Sequence, residues 1–326
     1  MTLAPDALGP TICVGEILVE IVATTVGDGF TEPQALVGPF PSGAPAIFID
    51  QCGRFGGAAA MVGVVGDDDF GRLNTQRLAR DGVDISAVTV DPDLPTGSAF
   101  VRYRTDGSRD FVFNIAASAA GQIVWSDEVE ALAERAGHLH VMGSALSVPS
   151  IRTVITSALP SVVRRGGTVS LDPNLRKELD YDGETRQTFA ELVAQSDVLL
   201  PSSDELALAA GVDDEQAAVD RLFELGVGEI VLKRGTDGAT GYLSDGSRFD
   251  ATAFEIDELD PTGAGDCFGG AYVASRRLGL TVDEALTYAC AAGARNAAVV
   301  GPMEGAGTRA ELDEFISSTP RGRARG

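Results

Sequence analysis

Leu259-Asp260-Pro261-Thr262-Gly263-Ala264-Gly265-Asp266-Cys267-Phe268-Gly269-Gly270-Ala271 sets two glycines and an alanine directly before an aspartate, at what reads as a helix start. Small residues let a substrate or phosphate approach the backbone. A helix N-terminus offers unpaired N–H groups and the positive end of a dipole, which suits an anion. A carboxylate beside such a cradle can take a proton from an attacking hydroxyl. Together these are parts of a phosphoryl-transfer site. The same run also serves as a plain strand-to-helix turn with Asp266 as a first-turn acid. No lysine follows the glycines, so the Walker pattern is absent, and the spacing is not that of a dinucleotide fingerprint.

Outward from this motif the chain alternates helices and strands. Two small-residue helices are expected after Asp266, over Phe268 to Leu278 and Val282 to Val299. Upstream, strands are expected at Thr11 to Val22, Ala59 to Val65, His138 to Met142, Val169 to Leu171, Ser196 to Leu200 and Glu229 to Lys233. Helices are expected from Ala46 to a stop at Gly56-Gly57, from the acidic Asp67-Asp68-Asp69 through Arg80, and over Glu128 to Ala136, Glu205 to Ala210 and Glu215 to Leu225. A further helix over Ile151 to Arg164 is expected to break at Pro160. Residues 23–42, rich in Gly, Thr and Pro, read as a loop or irregular insertion. Ser98 to Arg104 and Arg109 to Asn114 flank an Asp106-Gly107 turn and read as a β-hairpin, an element able to act as a lid. The alternation argues for an α/β fold with a mainly parallel sheet and ligands at its C-terminal strand ends.

Composition narrows the function. The 326 residues carry 44% hydrophobic side chains, enough for a sizeable core. A net charge of −23 argues against nucleic acid as a partner. No apolar run is long enough to span a membrane, and no signal peptide is read. Cys13, Cys52, Cys267 and Cys290 lack metal or redox spacing, so buried free thiols in the cytoplasm are expected. The basic tail from Arg321 reads as a solvated, frayed end.

Asp260-Pro261-Thr262-Gly263-Ala264-Gly265-Asp266 resembles the second signature, Asp-Thr-x-Gly-Ala-Gly-Asp, of the ribokinase-like (PfkB) carbohydrate kinases, with Pro261 in place of a threonine. The resemblance implies a single ribokinase-like domain over 1–326, with a small β lid built from about 21–42 and 97–116. It implies an anion hole from Gly263, Ala264 and Gly265, and Asp266 as the base that activates a sugar hydroxyl. Leu171-Asp172-Pro173-Asn174-Leu175-Arg176 is similar to the family's Asp-Pro-Asn-x-Arg segment, which implies a substrate-side Arg176. Ser202-Ser203-Asp204-Glu205 resembles Asn-x-x-Glu, whose glutamate organises Mg²⁺, although Glu205 also reads as a helix acid capped by Ser202. Lys233-Arg234-Gly235-Thr236-Asp237-Gly238 resembles the turn that approaches ATP. The first signature is partial: Ser42 and Ile47 replace a glycine and an asparagine, and Glu20 stands where an aspartate binds sugar hydroxyls.

The activity implied by the resemblance is that of an ATP- and Mg²⁺-dependent sugar kinase. The sugar side would comprise Glu20, Gly43, Ala44, Arg102, Tyr103, Arg176 and Asp266. The nucleotide side would comprise Ser203, Lys233, Gly235, Gly238, Gly263, Gly265 and Asn296, with Glu205 at the metal. Across nearly the whole chain the pattern looks closest to tagatose-kinase-like members, which implies D-tagatose and its 6-phosphate. The alternatives are fructose, 2-keto-3-deoxygluconate held by Arg102, Arg104 and Arg176, or a non-catalytic sugar- or nucleotide-binding regulator. A homodimer through the lid is a further expectation.

Overall fold

The computed structural model describes residues 3–174 and 182–322. Thirteen strands are described: β1 (Thr11–Val14), β2 (Leu18–Ala23), β3 (Leu36–Ser42), β4 (Ala59–Gly66), β5 (Val83–Asp91), β6 (Gly97–Tyr103), β7 (Arg109–Asn114), β8 (His138–Met142), β9 (Thr168–Asp172), β10 (Val198–Leu199), β11 (Glu229–Lys233), β12 (Ala239–Leu243) and β13 (Arg248–Ala251). The helices are α1 (Ala44–Phe55), α2 (Asp69–Arg80), α3 (Asp127–Arg135), α4 (Pro149–Arg164), α5 (Gly183–Val193), α6 (Ser203–Ala210), α7 (Glu215–Glu224), α8 (Ala264–Arg277), α9 (Val282–Ala297) and α10 (Arg309–Ser318).

The strands form a nine-stranded sheet in the order β13-β12-β11-β10-β9-β8-β1-β4-β5 and a four-stranded sheet in the order β3-β2-β6-β7. From β11 to β5 every neighbouring pair is parallel, and only β12 and β13 pair antiparallel. Parallel strands buried on both faces need continuous apolar runs. Ile12-Cys13-Val14, Leu139 and Val141 in β8, and Ile230-Val231-Leu232 supply them, all at most 1% exposed. The parallel ladder puts the ends of β1, β8, β9, β10 and β11 at one edge, where α8 begins.

Several expectations are corrected. Residues 11–22 are not one strand. Gly15 N–H makes the last bond to the main sheet, on Val62 O at 3.1 Å, and the chain then crosses into the small sheet as β2. Residues 36–42 are a strand despite Pro39 and Pro41, because β3 lies at a sheet edge where a missing donor is tolerated. Helix α4 runs unbroken through Pro160, held by the buried Ile155, Ala158, Leu159 and Val162. The acidic triplet, by contrast, is the expected helix start, with Asp68 capping α2 by accepting from Gly71 N at 2.8 Å. Arg321 pairs with Phe254, and Gly322 N donates to Ala253 O at 2.8 Å, so the tail is anchored at least that far. Arg323 and Arg325 lie outside the described residues.

Beneath the site, Arg77 of α2 joins three segments. It donates to Asp50 of α1 at 3.1 Å, to Asp81 at 2.5 Å and to Met303 O at 2.7 Å. Burial pushes Asp50 up to about 7, against the pull of Arg77. The folded chain therefore binds this proton more tightly than the unfolded chain, whose carboxyl titrates near 3.8. That contribution to stability is complete below 3.8 and is lost as pH rises through about 7. Asp50→Asn is expected to flatten the fall in melting temperature between about pH 5 and about pH 8. Parallel curves for variant and wild type would reject this assignment.

Candidate active site

The signature loop is held by its own side chains. Asp260, 1% exposed, accepts from Thr262 N and Gly301 N, both at 3.0 Å. Asn296 donates to Thr262 O at 2.9 Å and accepts from Gly305 N at 3.1 Å. Gly263 caps α8 in the left-handed region at φ 77°. A Cβ there would lie 2.2 Å from Pro302 O. Helix starts leave their first N–H groups without intrahelical acceptors, and of those of α8 Ala264 N reaches back to Pro261 O at 3.3 Å.

Asp266 sits in the first turn of α8, 4% exposed. Asn174 Nδ2 donates to its Oδ1 at 2.8 Å. Asn174 lies just past the end of β9 with φ 41°, and its own N–H is fixed on Asp172 Oδ1 at 3.1 Å. Lys233, at the end of β11, donates to Asp172 Oδ2 at 2.5 Å. Three strand and helix ends thus share one polar chain: Asp266, Asn174, Asp172, Lys233. Burial opposes the charge on Lys233, but Asp172, Glu205 and Asp266 outweigh it and raise its pKa, so Lys233 is a cation. Burial pushes Asp172 up to about 7 although Lys233 pulls it down. In a chain of net charge −23, Lys233 gives the site local positive potential.

Lys233, Gly235 and Gly238 line a cavity of about 490 Å³ that continues past Ala264 and Gly265 to the small residues Gly293 and Ala297 of α9. Its volume falls within the range of small-molecule sites. Three of the nucleotide-side residues do not line it. Gly263 forms the turn into α8, Asn296 holds the loop through Thr262 O, and Ser203 is exposed at the start of α6. Glu205 takes part in a capping box, accepting from Ser202 N at 2.7 Å and Ser202 Oγ at 2.8 Å. An isolated bridge between Ser202 and Lys233 keeps this helix start beside the site.

On the small sheet, Glu20 is aligned with Ala99, Ala99 with Phe113, and Tyr103 with Arg109. Directly paired residues share a face, so Glu20, Tyr103, Arg109, Phe111 and Phe113 line one side. Tyr103 and Arg109 reach the signature loop from it: Tyr103 Oη bonds Asp260, and Arg109 Nη1 bonds Thr262 Oγ1 at 3.0 Å. That face is therefore turned to the site. Glu20 is buried, with Ser42 Oγ 3.5 Å from its carboxylate. Gly43 caps α1 at φ 108°, where a Cβ would lie 2.4 Å from Glu16 O, and Ala44 follows it.

Arg102 is corrected. As the neighbour of Tyr103 in a strand it points to the opposite face. There it donates to Gly29 O at 2.6 Å and pairs with Glu32 at 3.6 Å, tying down the segment between β2 and β3. Arg104 shares that face and bonds Asp110 at 2.7 Å. Arg176 lies outside the described residues. Sequence reasoning missed Arg109 and the stacked pair Phe111 and Phe113, whose ring centroids are 5.1 Å apart. Asn174 belongs to a segment that the sequence singles out, but its hold on Asp266 shows only in the fold.

With this geometry established, the comparisons assign the class. The pfkB family carbohydrate kinase model matches residues 11–308, and the chain belongs to that family. It is a carbohydrate kinase, a phosphotransferase. Fructokinase-1 of Oryza sativa subsp. japonica is 31% identical over 94% of this chain and 97% of its own. The 2-dehydro-3-deoxygluconokinase of Thermoproteus tenax is 30% identical over 96% of each. A protein from E. coli provisionally named ribokinase II, solved in complex with ATP and Mg²⁺, is 40% identical with a TM-score of 0.88, over 95% of this chain and 99% of that one. These relatives support the family and the ribokinase-like fold rather than the tagatose assignment. Among the described residues no helix is long and apolar enough to cross a membrane.

Proposed function

We propose that this kinase transfers the γ-phosphoryl group of ATP to a hydroxyl of a ketohexose. The observation that carries the reading is Asp266, fixed by Asn174 at the first turn of α8, beside a small-residue loop and the mouth of the cavity. Asp266 accepts the hydroxyl proton as the sugar oxygen attacks. The N–H groups of Gly263, Ala264 and Gly265 hold charge on the transferring group, and Lys233 adds a fixed cation beside them. The cavity between Lys233 and α9 takes the nucleotide.

Mg²⁺ keeps much of its water and binds through one or two carboxylates plus phosphates. Glu205, at a helix start that the Ser202–Lys233 bridge keeps beside the site, supplies one such carboxylate. Glu205 would hold the ion, which neutralises phosphate charge when bound. Glu20 and the stacked Phe111 and Phe113 give the sugar a polar edge and an apolar wall. The small sheet covers the sugar and excludes water, which limits ATP hydrolysis.

D-tagatose, giving D-tagatose 6-phosphate, is the substrate that the sequence pattern suggests. The named relatives put fructose and 2-keto-3-deoxygluconate beside it. For the acidic sugar, Arg109 replaces Arg102 and Arg104 as the site-facing guanidinium. The same reading has the enzyme in the cytoplasm, its four thiols free, and dimeric through the lid, where Val112 is exposed. Mg²⁺-dependent ADP release is expected in the presence of one of D-tagatose, D-fructose and 2-keto-3-deoxygluconate, and not with ribose. A tagatose preference supports the first substrate, and preference for another sugar replaces it. No sugar-dependent release with any ketose or keto-acid sugar would reject the proposal.

A further inference from the structure

Three hydrogen bonds cross from the lid to the signature loop, and their donors and acceptors can be ordered. Arg109 Nη1 donates to Thr262 Oγ1 at 3.0 Å. Thr262 Oγ1 lies 3.2 Å from Tyr103 Oη, and Tyr103 gives its single proton to the Asp260 carboxylate. The phenol has then spent its hydrogen, so Thr262 must be the donor to it. The chain runs Arg109, Thr262, Tyr103, Asp260, with each hydrogen used once. Its two lid residues, the last of β6 and the first of β7, are directly opposite each other at the turn. One rigid hairpin end therefore delivers both.

On the other side, Asp260 accepts from Thr262 N and Gly301 N, and Thr262 O is held by Asn296. The body of the protein thus supplies the rest of the loop's support, and the lid completes it. Asp260 is 1% exposed with Tyr103 against it, so removing the Tyr103 hydroxyl while its ring stays leaves the carboxylate short of a donor that water does not readily replace.

We infer that Tyr103 and Arg109 are positioning residues for the anion-hole loop, through which lid closure over the sugar sets the Gly263-Ala264-Gly265 amides in place for transfer. The inference rests on the kinase reading above and deepens it. It makes the phosphoryl-binding geometry depend on the element that covers the acceptor, so that the anion hole is complete when a sugar is enclosed. An anion hole set a fraction of an ångström out of line loses most of its effect.

The test compares the full-length wild type with Tyr103→Phe, Arg109→Met and the double variant. Tyr103→Phe keeps the ring and removes one hydroxyl. It should lower kcat by about tenfold while the KM for ATP stays within about twofold. The double variant should lose less than the product of the two single losses, since both act on one loop. Arg109→Lys should recover part of what Arg109→Met loses. Amide hydrogen exchange over residues 259–265 should quicken in Tyr103→Phe with an unchanged melting temperature. An unaltered kcat with unaltered exchange in this segment would overturn the inference. So would a kcat loss accompanied by a general drop in melting temperature and no local change in exchange. If the wild type phosphorylates no sugar, the functional reading fails, and the exchange comparison still decides whether the lid orders the loop.

Discussion

Asp266→Asn will lower kcat about 10³-fold and leave the KM values for ATP and sugar within about threefold. Asparagine has nearly the size of aspartate and keeps an oxygen to accept from Asn174 Nδ2, now at 2.8 Å from Oδ1. It cannot take up a proton at neutral pH. The residue is 4% exposed in the first turn of α8, so the change adds no volume to a tight place. Removing one charge at the helix start weakens the dipole interaction by less than about 1 kcal/mol. The fold should therefore hold, and calorimetric ATP binding should match the wild type. What disappears is the acceptor for the hydroxyl proton. Retained kcat within about tenfold would mean that the proton leaves by another route and that Asp266 is not the base.

The parts of the site that could be read from the sequence are those where a local constraint and a functional one coincide. Gly263-Ala264-Gly265-Asp266 announces a left-handed turn into a helix, and α8 begins there. The Asp106-Gly107 turn fixes the hairpin whose strands are β6 and β7. The acidic triplet before α2 and the glycine stop after α1 are equally local. The errors arose where a distant partner decides. Arg102 and Tyr103 both carry hydrogen-bonding tips, and only the register with β2 and β7 tells which one faces the site. Asn174 meets Asp266 from 92 residues away, and Tyr103 meets Asp260 from 157. Asn296 reads as a polar residue near the end of a helix beside the nucleotide. Its side chain instead turns into the core and holds Thr262 and Gly305. The prolines of β3 signal a loop unless the strand is known to be an edge.

Gly263→Ala will cost about 10²-fold or more in kcat, because the loop has no room to accept even one methyl group. Two effects add. The position lies at φ 77°, where an L side chain is strained by roughly 1–2 kcal/mol. The new Cβ would stand 2.2 Å from Pro302 O, a backbone atom that cannot swing aside by changing rotamer. Pro302 is itself flanked by fixed points, since Gly301 N is bonded to Asp260 and Gly305 N to Asn296. The strain must then move the signature loop, and with it the amides that face the transferring group. Gly265→Ala provides the contrast. Its Cβ would meet only Lys233 Nζ, at 3.8 Å, so the backbone need not shift. Gly265 lines the nucleotide cavity, so this methyl group intrudes on ATP instead. Gly263→Ala should thus act mainly on kcat and lower the melting temperature. Gly265→Ala should act mainly on the KM for ATP and leave the melting temperature alone. If both variants shifted the KM for ATP alike with no change in kcat, the loop would be a nucleotide contact and not the element that stabilises the transferring phosphoryl group.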